Sequence, residues 1–164
     1  MTINSGGGVS IAAGLRIQPT TDSFGNATVN IIGGFNGNTV ASGFGGQTIA
    51  GGGATCGGCV NRVGNDYGTV GGGASNTASG FNSTVSGGGG NTASSNYSTV
   101  PGGRSNTAGG PNSFAAGDHA NAKDADSFVW CATGGATCGS LGTNSFVVSV
   151  LGPIYFFPLI RALS

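Results

Sequence analysis

A phrase that returns every fifteen residues constrains this chain more than any other feature. Each copy is a Thr-Val pair that leads into glycine and is followed by Asn-Thr-Ala, and the valines are Val70, Val85 and Val100. The next unit, at Ser113, keeps the fifteen-residue step, and the one at Ser127 comes fourteen residues later. A short fixed period with strand-sized apolar pieces and Gly-rich corners is typical of a solenoid, in which each repeat packs only against its neighbours. The sequence therefore predicts an all-β fold, a β-solenoid of 14–15-residue repeats.

Composition supports ordered β structure. Charged residues make up 6 % of the 164 residues, the formal net charge is zero, and 36 residues are glycine. Disorder usually accompanies high net charge and few β-branched residues, whereas this chain spaces Val, Ile, Thr and Phe regularly. Helices are disfavoured because an interior Gly costs about 1 kcal/mol relative to Ala.

The charge balance also restricts the partners. Five basic residues face five acidic ones along the sequence, which is too few for the basic footprint that phosphate binding needs. We therefore expect no nucleic-acid partner, and no cofactor motif stands out. Met1 is followed by polar and Gly residues with no basic or apolar leader, so no secretory signal is predicted.

The pattern divides the chain into three segments. Residues 1–35 are only partly repetitive and are interpreted as an N-terminal cap or attachment segment. Residues 36–129 carry the Gly-rich β-roll repeats, interrupted by an excursion at Cys56–Tyr67. Residues 130–164 form a C-terminal apolar strand region for assembly or anchoring. A membrane span is not expected, because the apolar run from Phe146 to Ile160 is short and broken by two prolines.

Period-two alternation assigns roles within each turn. Side chains of successive strand residues point to opposite faces, so Val85 is predicted to point inward while Thr84 faces out. The predicted repeat core is Val70, Val85, Val100, Phe114, Phe128, Ala78, Ala93 and Ala108. Asn76, Asn91 and Asn106 are predicted to stack as a hydrogen-bonded corner ladder. The glycine runs are assigned to corners, because they follow the repeat and lack the Lys-Ser or Lys-Thr of a phosphate loop.

A core lined by Val and Ala is thin, which predicts oligomerisation. The predicted assembly residues lie at the apolar C-terminal end, as a buried strand pair or a subunit interface, with membrane contact as the weaker alternative. They are Phe146, Val148, Ile154, Tyr155, Phe156, Phe157, Leu159 and Ile160.

Asn112–Ala122, reading Asn-Ser-Phe-Ala-Ala-Gly-Asp-His-Ala-Asn-Ala, resembles the head repeat of trimeric autotransporter adhesins. The Thr-Val-x-Gly-Gly repeats and Asn144–Val148 are similar to Gly-rich β-rolls of bacteria and their phages, which form fibres and tips. The resemblance covers about residues 36–150 and implies a left-handed parallel β-roll and a homotrimer. The coiled-coil stalk and barrel anchor of the autotransporters are not seen, which favours a phage component over a surface adhesin.

Four cysteines lie in two irregular excursions, as Cys56-x-x-Cys59 and Cys131-x6-Cys138. Free thiols in loops are the favoured interpretation, and local disulfides within each pair are the first alternative. A four-thiolate zinc site is a weaker one, because the spacing of the second pair does not fit.

Other candidate sites are weaker still. His119 is the only histidine, and we interpret it as an exposed corner residue, with a metal site from three copies as the alternative. One histidine in a repeat corner does not assemble a nucleophile, base and orienting carboxylate, so no catalysis is expected. Phe81 and Tyr97 are predicted either to fill a trimer interface, which we favour, or to form an aromatic stripe for a glycan or a protein partner.

The sequence thus predicts a non-enzymatic virion structural protein of a phage, a fibre, spike or capsid decoration. Its expected partners are two further copies, other virion proteins and a host surface glycan or protein. The alternative is the head of an adhesin on a bacterial cell surface. A third hypothesis, an ice- or glycan-binding solenoid, rests on the threonine rows at Thr69, Thr84 and Thr99.

Overall fold

The computed structural model describes residues 14–154, together with residues 2–3, 7 and 9–11. These residues form eighteen strands in two sheets, and the predicted all-β parallel β-solenoid is confirmed. Eight parallel strands of the first sheet mark about eight turns, with repeats of about fifteen residues. No helix in the described part of the chain has the length and hydropathy to cross a bilayer.

The N-terminal strands form one edge of the first sheet and pair with one another in an antiparallel arrangement. They are β1 (Thr2–Ile3), β2 (Val9–Ile11), β3 (Leu15–Thr21) and β4 (Ala27–Ile32). β3 and β4 form a hairpin in which Arg16 pairs with Ile32 and Thr21 pairs with Ala27. β4 then pairs in parallel with the next coil strand, so the coil begins before residue 36.

The remaining strands alternate between the sheets. Those of the first sheet are β6 (Thr48–Ile49), β8 (Thr69–Val70), β10 (Thr84–Val85), β12 (Thr99–Val100), β14 (Phe114–Asp118), β16 (Phe128–Ala132) and β18 (Phe146–Val150). Those of the second sheet are β5 (Thr39–Val40), β7 (Arg62–Val63), β9 (Thr77–Ala78), β11 (Thr92–Ala93), β13 (Thr107–Ala108), β15 (Ala120–Ala122) and β17 (Cys138–Gly139). The coil therefore also continues beyond residue 129.

In each of the middle turns, one apolar side chain from each sheet points into the core between the two sheets. Val70, Val85 and Val100 on the first sheet face the second, and all three are fully buried. Ala78, Ala93 and Ala108 are likewise fully buried on the opposite wall. Burying a valine contributes roughly 1.5–3 kcal/mol, and alanine less, so each turn adds a small apolar increment.

The prediction that Phe114 and Phe128 belong to this core is wrong. Phe114 pairs with Thr99, whose side chain lies on the outer face, and Phe128 pairs with Phe114. The inward positions are taken by the next residues, Ala115 and Val129, which are fully buried. Because side chains alternate along a strand, both phenylalanines lie outside.

The corner ladder carries the polar part of the interior. Asn76, Asn91 and Asn106 are fully buried, and each side-chain oxygen accepts the backbone N–H that follows one turn later, the last from Ala120 at 2.9 Å. Asn38 and Asn61, which the repeat did not identify, extend the ladder toward the N terminus. The turns are thus joined by side-chain hydrogen bonds as well as by the backbone pairing of the sheets.

Candidate assembly interface

The outer face of the first sheet changes chemistry along its length. One in-register column holds threonines in the middle turns and phenylalanines in the later ones. In order, it contains Thr48, Thr69, Thr84, Thr99, Phe114, Phe128 and Phe146. The rod therefore presents a polar row over its middle and an aromatic row toward its carboxyl end.

The three phenylalanines stack as a ladder. The ring centroids of Phe114 and Phe128 lie 4.8 Å apart with planes 7° from parallel, and those of Phe128 and Phe146 lie 4.8 Å apart at 15°. The spacing equals the separation of hydrogen-bonded strands, so the stack follows from the parallel register. Phe146 is 72 % exposed, which leaves this end of the ladder open to solvent.

A second apolar column runs beside the ladder, two residues further along each strand. Ala116 pairs with Trp130, which pairs with Val148, and Trp130 is about half exposed. A groove of about 460 Å³ lies between the two columns and the corner at Pro101–Gly103. We call the surface formed by both columns the aromatic face, and its residues are Phe114, Phe128, Phe146, Ala116, Trp130 and Val148.

The aromatic face contains part of the predicted assembly set. Phe146 and Val148 belong to it, and Ile154 lies beyond its strand with half of its surface exposed. Tyr155, Phe156, Phe157, Leu159 and Ile160 lie outside the described residues. Phe114 and Phe128, which were predicted to lie in the core, instead supply two of its four aromatic side chains.

Charged groups border the aromatic face on one side. Arg104 forms a two-pronged ion pair with Asp118, with its Nε and Nη2 donating at 3.0 and 2.8 Å. The guanidinium of Arg104 lowers the pKa of Asp118 to about 2, and His119 Nδ1 lies 2.7 Å from the same carboxylate. The border is thus polar but locally neutralised, an arrangement common at the rim of an interface.

A second exposed cluster lies at a corner of the coil. Phe81 is its centre, with the rings of Phe24, Tyr67 and Tyr97 at 5.9, 5.8 and 5.7 Å in edge-to-face contacts. Aromatic pairs in this geometry contribute roughly 0.5–1.5 kcal/mol beyond their buried area. We call these four residues the corner cluster. It packs the turn of the N-terminal hairpin against the coil within the same chain.

Two buried carboxylates reinforce that contact. Asp22 accepts the Tyr67 hydroxyl, and this hydrogen bond, with those from Asn26, lowers the pKa of Asp22 to about 2. Asp66 accepts the Ser23 hydroxyl and N–H, the latter at 3.0 Å. Burial acts to raise the pKa of Asp66, but its hydrogen bonds outweigh that effect and lower the pKa overall. Both carboxylates therefore hold the hairpin best when ionised.

The cysteines form two local disulfides. Cys56 is bonded to Cys59 and Cys131 to Cys138, with Cα atoms 5.4 and 5.6 Å apart. The favoured free-thiol interpretation is wrong, because no free cysteine occurs in the structure. Cys131 is fully buried and continues the coil interior beyond Val129.

Within residues 14–154, no group of three or more His, Cys, Asp or Glu side chains converges on a metal position. His119 is engaged with Asp118 at its corner. The comparisons with protein-family models, curated proteins and solved structures found no match to this chain.

Proposed function

We propose that this chain is a structural component of a phage particle, a short fibre, spike or capsid decoration, built as a homotrimer through the aromatic face. The observation that carries the proposal is the stacked ladder of Phe114, Phe128 and Phe146 on the outside of the coil. The resemblance of the repeats to phage and adhesin β-rolls supports three parts of the proposal. These are the location in a phage particle, the left-handed hand of the coil and the threefold assembly.

The occupant of the aromatic face is another copy of the same chain. The face carries no charged side chain, and its ionic border is paired within the chain through Arg104 and Asp118. A surface of this kind gains free energy from apolar burial without needing a complementary charge on the partner. Exposed aromatic patches rimmed by polar groups mark interaction sites. Because the Val and Ala core is narrow, a single chain buries little apolar surface, and assembly would bury more of it.

The two disulfides support a location outside the reducing cytosol. Disulfides persist in oxidising surroundings, among them cell surfaces and released virions. They agree with a released phage particle, and equally with the head of a surface adhesin.

The assembly is tested by light scattering on the purified protein. The double substitution Phe128→Thr with Phe146→Thr places in the ladder the residue that occupies the same column at Thr99. We expect the parent chain to be a trimer and this variant a folded monomer. Leu141→Thr is the matched control, because Leu141 is 88 % exposed but lies outside the aromatic face. A monomeric parent chain, or a double variant that stays trimeric, would refute the assembly.

Location is tested by peptide mass spectrometry on gradient-purified virions and on the envelope of the producing cells. Stoichiometric detection in virions is expected. Detection only in the envelope would refute the phage assignment and favour the adhesin head.

The in-register threonines favour one further candidate, an ice-binding surface. Thr69, Thr84 and Thr99 form a straight row on one sheet, and Thr77, Thr92 and Thr107 form a row on the other. Such rows offer hydroxyl and methyl groups at the constant spacing of the strands. Thermal hysteresis that is lost on Thr84→Val would establish this function, and its absence in the parent chain would dismiss it.

A further inference from the structure

Nine described residues other than glycine have the left-handed backbone conformation, and six of them lie at equivalent corners of the coil. They form one column along the rod, at Tyr67, Asn82, Tyr97, Asn112, Asp126 and Asn144, with φ between 52° and 60°. The N–H of each donates to a carbonyl of the preceding turn, as Tyr97 does to Phe81 at 2.8 Å. Asn and Asp adopt this conformation readily, whereas for a bulky residue it is an outlier.

The structure accounts for one of the two tyrosines. The Tyr67 hydroxyl donates to Asp22, and its ring packs against Phe81, so Tyr67 fastens the hairpin. The Tyr97 ring also packs against Phe81, but its hydroxyl has no hydrogen-bond partner among the described residues. It is 55 % exposed. A strained and half-exposed tyrosine whose hydroxyl the fold leaves unpaired points to a role for the exposed side of that residue outside the fold.

The surroundings of Tyr97 define the chemistry of its ligand. Asn82 and Asn112 occupy the same corner one turn before and one turn after, and both are exposed. The Asn82 carboxamide makes no hydrogen bond within the described residues, and Asp126, two turns on, is engaged by Asn112 at 3.0 Å. The ring is therefore flanked by neutral amides. An aromatic ring beside amide donors and acceptors matches a sugar, with its apolar C–H face and hydroxyl edges.

The periodicity of the column favours a polymer over a compact partner. Successive corners are about 4.8 Å apart, which is close to the length of one sugar ring in an extended chain. A protein partner would need a broad surface of about 800 Å² on each side, and a corner column is narrow. A linear chain lying along the rod would instead meet one corner per sugar.

We propose that the corner column centred on Tyr97 binds a linear neutral polysaccharide of a cell surface. The site deepens the attachment role of the proposed particle and rests on that function. Tyr97 supplies the stacking ring, and Asn82 and Asn112 supply hydrogen bonds to the neighbouring sugars.

The test uses the full chain on an array of linear neutral and acidic oligosaccharides, with affinities measured by calorimetry. Tyr97→Asn installs the residue found at Asn82 and Asn112, so this variant is expected to keep the fold. We expect binding to neutral members, a loss of at least about tenfold in affinity on Tyr97→Asn, and retention on Tyr97→Phe. Ser86→Ala, at an exposed position beyond the other end of β10, is the control and should bind like the parent chain.

Several results would overturn the site. They are no binding to any neutral member, binding of acidic members only, or unchanged affinity in Tyr97→Asn. A pull-down on cell envelopes adds a second measurement, in which periodate treatment is expected to abolish retention and protease treatment to spare it. Loss by protease alone would make the ligand a protein and refute the proposal. Detection in virions is independent of these outcomes, so the site and the particle assignment fail separately.

Discussion

The side-chain oxygen of Asn76 accepts the backbone N–H of Asn91 at 3.0 Å, one turn further along the coil. The amide nitrogen of Asn91 in turn donates to the carbonyls of Gly87 and Gly103, both at 2.9 Å. One buried side chain thus satisfies backbone groups of its own turn and of the next. Carbonyls of the glycine-rich corners, which lie outside the strands of the two sheets, are thereby hydrogen-bonded.

Replacing a ladder residue should destabilise the whole coil. Asn91→Ala removes three hydrogen bonds and leaves the N–H of Asn106 without its acceptor. Unpaired buried groups cost about 1–3 kcal/mol each, so the free energy of unfolding should fall by about 3 kcal/mol or more. Denaturant unfolding followed by circular dichroism measures this loss in the free energy of unfolding. Asn96→Ala, at an exposed position, is the control, and an equal loss in both variants would contradict the role of the ladder.

The glycine at position 88 is required by a close approach between turns. Its φ is +87°, and an added Cβ would lie 2.1 Å from the carbonyl oxygen of Gly103. Gly88→Ala therefore combines backbone strain with a clash against backbone, and we expect a loss of more than about 3 kcal/mol.

The adjacent glycine provides the control for this prediction. A Cβ at Gly87 meets no atom within 4 Å, so Gly87→Ala should change stability by less than about 0.5 kcal/mol. Thermal unfolding of the two variants side by side is the measurement. Equal stabilities would show that the close approach between turns is not what selects glycine.

Equivalent serines in the repeat should differ in their contribution to the free energy of unfolding. Ser98 is buried and its hydroxyl donates to the carbonyl of Ser95 at 2.6 Å. Ser113 occupies the same place one turn later, but its buried hydroxyl has no hydrogen-bond partner among the residues that the structure describes. Ser98→Ala should cost about 1 kcal/mol, and Ser113→Ala should be neutral or slightly stabilising. A larger loss at Ser113 than at Ser98 in denaturant unfolding would contradict this assignment.

Acid should release the N-terminal hairpin from the coil. The pKa values of Asp22 and Asp66 are lowered in the folded protein, to about 2 for Asp22. The unfolded chain therefore binds protons first, and the stabilisation is complete above the ordinary value near 4 and is lost as the pH falls toward 2. Hydrogen exchange at β3 and β4 between pH 5 and pH 2 measures the release.

Tyr67→Phe isolates the contribution of the Tyr67 hydroxyl to this acid response. It keeps the ring contact with Phe81 but removes the hydroxyl that lowers the pKa of Asp22. The variant should show weaker protection of the hairpin at pH 5 and a smaller change on acidification. An acid response identical to that of the parent chain would assign the effect to other groups.

The fold was predictable because the fifteen-residue period is visible in the sequence, but the role of Phe114 was predicted wrongly although the period holds at that residue. Ser113-Phe114-Ala115 aligns with Ser98-Thr99-Val100, so Phe114 takes the outer position of Thr99 and Ala115 the inner position of Val100. Matching apolar with apolar placed the phenylalanine inside, whereas alignment on the serine would have placed it outside.

Other features of the structure leave no local pattern in the sequence from which they could be predicted. Asn38 and Asn61 belong to the ladder but are separated by an irregular spacing. The contact of Phe24 with Phe81 joins residues far apart in the chain, through a hairpin whose docking no repeat encodes. The disulfides were open alternatives because cysteine spacing alone does not decide between pairing and free thiols.

The antiparallel pairing of β3 with β4 has a consequence for how rods can join. A parallel coil extends when a new strand meets an edge of its own direction, and at the amino end the hairpin presents reversed strands instead. The hairpin therefore covers the edge of the first sheet beside β4, where another parallel strand of a coil would have to add, whereas the second sheet ends there on the parallel strand β5. Each repeat added between the hairpin and the aromatic face would lengthen the coil by about 4.8 Å and move the two features further apart.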